Sequence, residues 1–343
     1  MLLFTAFSLA ISSFAEPPVT CPGDVGVPGV ERAFLGVHGV EPGHVDVWAG
    51  SEDDLRLFLS GDREAGKRIE QGAAMLLKRK HAQLTRITYH DETETWTFVT
   101  LDLWNDAPFG AAPTGPAPAD PGGLVSAWQE YEARGWALQR AGGVRPVKDC
   151  GALHCLFGFA HPELASYRSR FDEGVPGREE AIGEVLVRDP DPERRAAAAF
   201  LLGHSREPAV VVPLLLRGLT DGSSKVRNNV LRVSGQIASR DASFDPAPFL
   251  RALALPVVTD RNKALVALAT LAVRDKAVAR SILRAAPDEI LASLALAQPN
   301  NRDAALEILR AASGRTDGSC DVDRWKRWVR ACETLAWQDG CGD

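Results

Sequence analysis

The chain of 343 residues has no apolar stretch of the ~20 residues that a membrane-spanning helix needs; the run at its start, MLLFTAFSLAISSFA, gives way to prolines after about fifteen residues. It has no surplus of positive charge. Its 39 Lys and Arg face 45 Asp and Glu, a formal charge of −6, so no global basic field draws it to nucleic acid or to an anionic membrane. It contains no HExxH, GxSxG or CxxCH, which removes the zinc-protease, nucleophile-elbow and haem-attachment signatures. No aspartate-rich loop has calcium spacing. Gly61 to Lys67 matches the G-x4-G-K part of a phosphate-binding loop, but Arg68 stands where Ser or Thr must ligate magnesium, so the stretch reads as a helix start. No catalytic residue, metal or cofactor is expected.

What is present is the composition of an ordinary soluble protein, 24% charged and 45% hydrophobic, with chain enough for two domains. The organising feature is a repeat. DPDPERRAAAAFLLG returns as DGSSKVRNNVLRVSG, with Gly203 on Gly235 and Arg195 on Arg227. TDRNKALVALA places Arg261 at the same point, and the looser NNRDAALEIL places Asn301 there, giving spacings of 32, 34 and 40 residues. Self-similarity at this period marks stacked structural units. Val226, Val230, Val233 and Ile237 share one face of a helix, and Ser223 or Ser224 can cap it. The preceding PAVVVPLLLRGL opens on Pro208, acceptable at a first helical position. Pro213 should kink that helix, and Gly218 and Asp221-Gly222 break it. Each unit is thus expected to be a helical hairpin.

An aspartate-bearing turn, an arginine and an alanine- and leucine-rich helix, recurring over residues 176–313, resemble the HEAT repeat. The resemblance implies a mainly α fold, an armadillo-like solenoid of antiparallel helix pairs. The fourth copy is read with an extra helix, Asp288 to Ala297. In such stacks Asp and Arg bond across successive turns, and that role is implied here for Arg195, Arg227 and Arg261 beside Asp189 or Asp191, Asp221 and Asp260. The alternative for these arginines is a binding surface shared with Asn228, Asn229, Asn262, Asn300 and Asn301. Side-chain amides donate and accept, and so suit recognition, but they equally suit free amides at a helix start.

The remaining layout is read as follows. Residues 1–15 form a signal peptide, with Ser13-Phe14-Ala15 giving small residues before a cleavage point, although no Lys or Arg precedes the apolar run. Residues 16–105 form a small α+β domain. Ala33-Phe34-Leu35, Val45-Asp46-Val47 and Leu55 to Leu59 read as short strands, Gly61 to Lys80 as a helix, and Leu84 to Tyr89 with Trp96 to Leu103 as a β-hairpin. The order helix, strand, strand resembles the polypeptide-transport-associated module of secreted and outer-membrane proteins. A Pro/Ala/Gly-rich linker follows over 106–123. Residues 124–175 are read as a helical cap carrying Cys150 and Cys155, and 314–343 as a capping helix with Trp325 and Trp328 and a cysteine-bearing tail. The whole layout resembles exported HEAT-repeat proteins of Gram-negative bacteria, which implies an architecture and no assigned activity.

Six cysteines in an exported chain suggest three disulfides. Cys150 and Cys155 can close a small loop. Cys320 and Cys332 flank a helix-like segment whose ends lie about 18 Å apart at ~1.5 Å per residue, too far for a bridge. That leaves Cys332 with Cys341, or Cys320 with Cys341, and Cys21 takes the remaining partner. His154, Cys155 and His161 form a soft-ligand cluster without a fourth group. The expected function is a non-catalytic, monomeric, exported scaffold, periplasmic or secreted, with a protein ligand at the second helices of the repeats. The alternatives are an enzyme or enzyme accessory using His154 and His161, and a purely structural envelope component.

Overall fold

A computed structural model of the chain describes residues 18–22, 24–39, 48, 51–90, 94–106, 109–144, 152, 156–241, 243–335 and 337. The signal-peptide reading over 1–15 and the strand read at Val45-Asp46-Val47 lie outside them, as do Cys150, His154, Cys155 and Cys341. The fold is mainly helical with one small mixed sheet, as the pattern of repeats and hairpin led one to expect. Two compact units are formed, one from residues 1–107 with 253–343 and the other from 108–252. The sequence reading divided the chain over 106–123; the compact units divide it there and again within the repeats.

The first unit is built around a four-stranded sheet of β1 (Val25–Gly26), β2 (Ala33–His38), β3 (His81–His90) and β4 (Thr95–Trp104), ordered β1-β2-β4-β3. β2 runs parallel to β4, and β3 pairs antiparallel with it in the expected hairpin. The crossover between β2 and β3 holds α1 (Glu52–Leu59) and α2 (Arg63–Leu76). Leu55 to Leu59 is therefore helix and not strand. Glu52, Asp53 and Asp54 favour the positive end of α1, and Leu55, Phe58 and Leu59 recur at helical spacing toward the core. Asp62 caps α2 by accepting from the amides of Glu64 and Ala65 at 2.8 and 3.2 Å. The G-x4-G-K match is thus a capped helix start, its amides already bonded.

Both faces of the sheet are covered. Leu35, Val99, Leu101 and Leu103 pack with Leu55, Ile69 and Ala73 of the two helices. On the opposite face Phe98, Ile87, Tyr89 and Trp96 pack with Ala297. This is why β4 is buried at every position from Phe98 to Leu103: a strand covered on two sides loses the alternation of a half-exposed one. Its two buried polar residues both find partners from the segment after Leu253. Thr100 Oγ1 donates to Gln298 at 3.1 Å, and Asp102 accepts from the Val258 amide at 2.8 Å. The helices of that segment are α10 (Val258–Ala272), α11 (Lys276–Ala285), α12 (Pro287–Leu294), α13 (Pro299–Ser313) and α14 (Val322–Thr334). α12 is the extra helix read in the fourth repeat. α13 packs on α10, α11 and α12 and ends at Gly314, whose φ of +79° is the left-handed conformation suited to glycine. Trp325 of α14 is fully buried, and its indole donates to the Gly318 carbonyl at 3.1 Å.

The second unit contains α3 (Leu124–Arg140), α4 (Pro162–Gly174), α5 (Glu179–Arg188), α6 (Pro192–Leu201), α7 (Pro208–Arg217) and α8 (Ser224–Ala238), with α9 (Ala247–Leu253) at its end. α6 packs against α3, α5 and α8; Ala196 to Ala199 are completely buried there and let the helix axes approach. Lys225 of α8 reaches Glu132 of α3 at 2.9 Å and Glu193 of α6 at 2.6 Å. Trp128 of α3 is surrounded by Tyr131, Phe171 and Phe200. From Phe109 onward the Pro/Ala/Gly-rich stretch is bonded along this unit: the Gly110 amide donates to the Thr220 carbonyl at 2.7 Å, and Asp120 caps α3 through the Val125 and Ser126 amides.

Gly135 gives a direct test of this packing. A Cβ built there would lie 2.0 Å from Phe157 Cδ2 and 2.4 Å from its Cε2. Phe157 cannot swing away freely, since its amide donates to the buried Tyr131 hydroxyl at 3.1 Å. Gly135→Ala is expected to destabilise the protein by about 1–3 kcal/mol, although alanine is the better helix former by ~1 kcal/mol. Urea unfolding of the variant checks this, and an increase in stability would mean that α3 and Phe157 are not in contact.

Candidate functional site

The repeated arginines occupy one geometry. Each leaves the first turn of a second helix and folds back over the turn before it. Arg195 Nη1 donates to the carbonyls of Asp189 and Pro190 at 2.8 and 3.2 Å, six and five residues earlier. Arg227 does the same to Asp221 and Gly222 at 2.7 and 3.2 Å. Arg261 Nη1 donates to Leu255 at 3.2 Å and to Pro256. An acidic partner completes the arrangement. Asp221, from the next turn, takes a bidentate bond from Arg195 at 2.7 and 2.9 Å. For Arg261 the carboxylate is Asp102 of β4, at 2.6 Å, and not the neighbouring Asp260. Burial pushes the Asp102 carboxyl above its ordinary range, and the Arg261 charge opposes that by favouring the ionised form. Arg227 also lies over the Phe109 ring, 3.8 Å from its centroid.

The fourth position needs a correction of one residue. Asn301, aligned with the arginines by sequence, is buried beside the true counterpart, Arg302. Arg302 Nε donates to the carbonyl of Leu296, six residues earlier, at 2.7 Å. Its acidic partner is Asp24, from the segment before β1. Counting six residues from the turn would have found it: Asp189 to Arg195, Asp221 to Arg227, Leu255 to Arg261 and Leu296 to Arg302 share that interval. The helix sequences are too degenerate for an alignment of their residues to do so.

These side chains face inward. Arg195, Arg227 and Arg261 are each 1% exposed. Asn229 Nδ2 donates to the Ala196 carbonyl of α6 at 2.9 Å, and Asn262 Nδ2 to the Asn300 carbonyl of α13 at 2.6 Å, so each ties one second helix to another. Asn301 is fully buried. Of the eight candidates only Asn300 and, on α8, Asn228 are half-exposed. Asn228 begins a row on α8 with Arg232 and Gln236, four residues apart and each half-buried. Arg232 makes no hydrogen bond or ion pair among the described residues, and burial pushes its guanidinium down to about 10.

The cysteine and histidine candidates resolve separately. Cys21 and Cys320 are joined, with Cα atoms 5.3 Å apart. That bond removes the pairing of Cys320 with Cys341 and leaves Cys21 in the place expected of it. Cys332 is disulfide-bonded as well. Arg302 Nη1 lies 3.0 Å from Cys21 Sγ, so the last member of the arginine row and the Cys21–Cys320 bridge adjoin. His161 is the N-cap of α4, its Nδ1 accepting from the Glu163 amide at 3.3 Å. Among the described residues no three His, Cys, Asp or Glu side chains converge to hold a metal ion, and no helix is long and apolar enough to cross a membrane.

Residues 179–269 match the family model of HEAT repeats. Together with the helical hairpins and their arginine row, this match fits a HEAT-repeat solenoid. Comparison with curated proteins finds no match for the chain.

Proposed function

We propose that the protein is a non-catalytic, monomeric, exported scaffold that binds another protein through its repeats. The observation that carries this reading is the run of helical hairpins matched by the HEAT-repeat model, since stacked hairpins present extended helix surfaces to partners. Fold-level analogy supplies the class of function and nothing finer. The Cys21–Cys320 bridge supports an oxidising compartment, where such bonds persist.

The row Asn228, Arg232 and Gln236 on α8 is the surface we assign to the partner. A half-buried guanidinium with no hydrogen bond or ion pair among the described residues is costly to desolvate, and a carboxylate from a bound protein would offset that cost with a charge-assisted pair. The test uses the oxidised protein as bait in envelope extract, with chemical cross-linking and mass spectrometry. A partner cross-linked within 224–238, and captured at least tenfold less by Arg232→Glu/Gln236→Ala after circular dichroism confirms that variant's fold, supports the reading. Equal capture by both proteins, cross-links confined elsewhere, or no partner for the parent would overturn it.

A further inference from the structure

The second unit contains a cavity of about 470 Å3 between the turn after α6 and the C-terminal end of α8. Its wall includes Asp172, His204, Ser205, Arg206, Ile237 and Arg240. One side of it is rigidly held. His204 is buried, with Nδ1 2.8 Å from Asp172 Oδ1, and its ring lies against those of Trp128, Phe159 and Phe171 at centroid distances of 5.9, 5.8 and 5.2 Å.

The hydrogen-bonding groups around this cavity are unequally committed. Several of its side-chain acceptors are already engaged, although Asp241 Oδ2 and the buried His204 Nε2 have no hydrogen-bond partner among the described residues. Asp172 takes His204 on one oxygen and Arg168 Nε, at 3.5 Å, on the other. The His204 bond holds the Asp172 carboxyl below its ordinary range, so it stays a carboxylate at neutral pH. Asp241, also in the wall, accepts the Ser243 amide at 2.9 Å and the Ser243 hydroxyl at 2.6 Å. Ser205 Oγ donates to Glu179 at 2.8 Å and accepts the Glu207 amide at 3.1 Å. The donors are open. Arg206 has no hydrogen bond or ion pair among the described residues. Arg240 uses one guanidinium nitrogen, Nη2, on the Ala152 carbonyl at 3.3 Å, and its remaining N–H groups have no protein acceptor among the described residues. A ligand that brings acceptors can therefore use these open N–H groups.

We propose that the cavity binds an oxyanion, a carboxylate or phosphate group, held by Arg206 and Arg240, with the body of the ligand against Ile237 and Pro208. Guanidinium forks match both oxyanions in bidentate geometry, and the volume is that of a small-molecule site. Of the two acidic side chains in the wall, Asp172 is bonded to His204 and Arg168, and Asp241 holds Ser243 on one oxygen, so the ligand's oxygens belong on the arginine side. The site is separate from the α8 row assigned to a protein partner and stands whether or not that assignment holds.

Isothermal titration calorimetry on the full, oxidised chain tests it, at ionic strength held constant with sodium chloride so that screening does not mimic binding. The probes are inorganic phosphate, succinate and a short glutamate-containing peptide with blocked termini. Saturable binding of at least one probe is expected, weakened at least tenfold in Arg206→Gln/Arg240→Gln. Both residues are exposed, so the variant should keep the thermal unfolding midpoint of the parent. Tighter binding of the free anions identifies a soluble ligand, and tighter binding of the peptide identifies an acidic side chain of a protein. No saturable binding by any probe, or equal binding by parent and variant, overturns the proposal.

Discussion

Asp102→Ala is expected to destabilise the first unit by about 3–5 kcal/mol, the usual consequence of leaving one member of a buried ion pair without its partner. Arg261 and Asp102 are 1% and 0% exposed at the side chain, so water cannot replace the lost carboxylate. The substitution also frees the Val258 amide at the start of α10, which Asp102 caps at 2.8 Å. Asp102→Asn keeps an acceptor for that amide and removes only the charge, so its loss should be smaller. Combining Asp102→Ala with Arg261→Met should recover part of the stability, because an apolar side chain of similar length has no charge to strand. Urea unfolding of the four proteins decides the matter. A loss below ~1 kcal/mol for Asp102→Ala would mean that β4 is not held on α10 by this pair.

The second large effect is expected from the bridge that closes the first unit. Cys21 and Cys320 are 299 residues apart in sequence, so removing the bond releases a long loop in the unfolded chain. Removing a bridge of this kind costs roughly 2–5 kcal/mol. Cys21→Ser/Cys320→Ser, kept oxidised so that the Cys332 bond persists, should show that loss in urea. It should also show faster amide exchange in residues 18–39, where Asp24 meets Arg302. Unchanged stability, or mass spectrometry linking Cys320 to a cysteine other than Cys21, would remove the bridge from the fold.

Both effects rest on contacts between parts of the chain far apart in sequence, and this is where sequence reading reached its limit. The hairpin grammar was legible because it is local: Val226, Val230, Val233 and Ile237 repeat at helical spacing, and all four are buried in α8. The β-hairpin was legible for the same reason, with β3 and β4 pairing from His81–Trp104 to His90–Thr95. Leu55 to Leu59 failed as a strand because five residues with four apolar positions fit either period, and packing against the sheet decided for helix. Asp102 was a sign available to any reader, the one charged residue in its strand, but only its neighbour in space explains it. Arg195, Arg227 and Arg261 were found as a set, with bonding across turns implied by the resemblance, whereas Arg302 was missed. Nothing local distinguishes a guanidinium on a binding face from one bonded to the turn six residues before it.

The sequence by itself determined the class of each unit, helical hairpins at a HEAT-like period after a helix and a β-hairpin, since periodicity, caps and breakers act within a few residues. The tertiary structure alone decided that β4 lies against the helices after Leu253, that Asp102 and Asp24 serve Arg261 and Arg302, and that Cys21 meets Cys320. Those choices depend on which surfaces meet when charge and apolar area are buried together, and that is a property of the folded chain and not of any window along it.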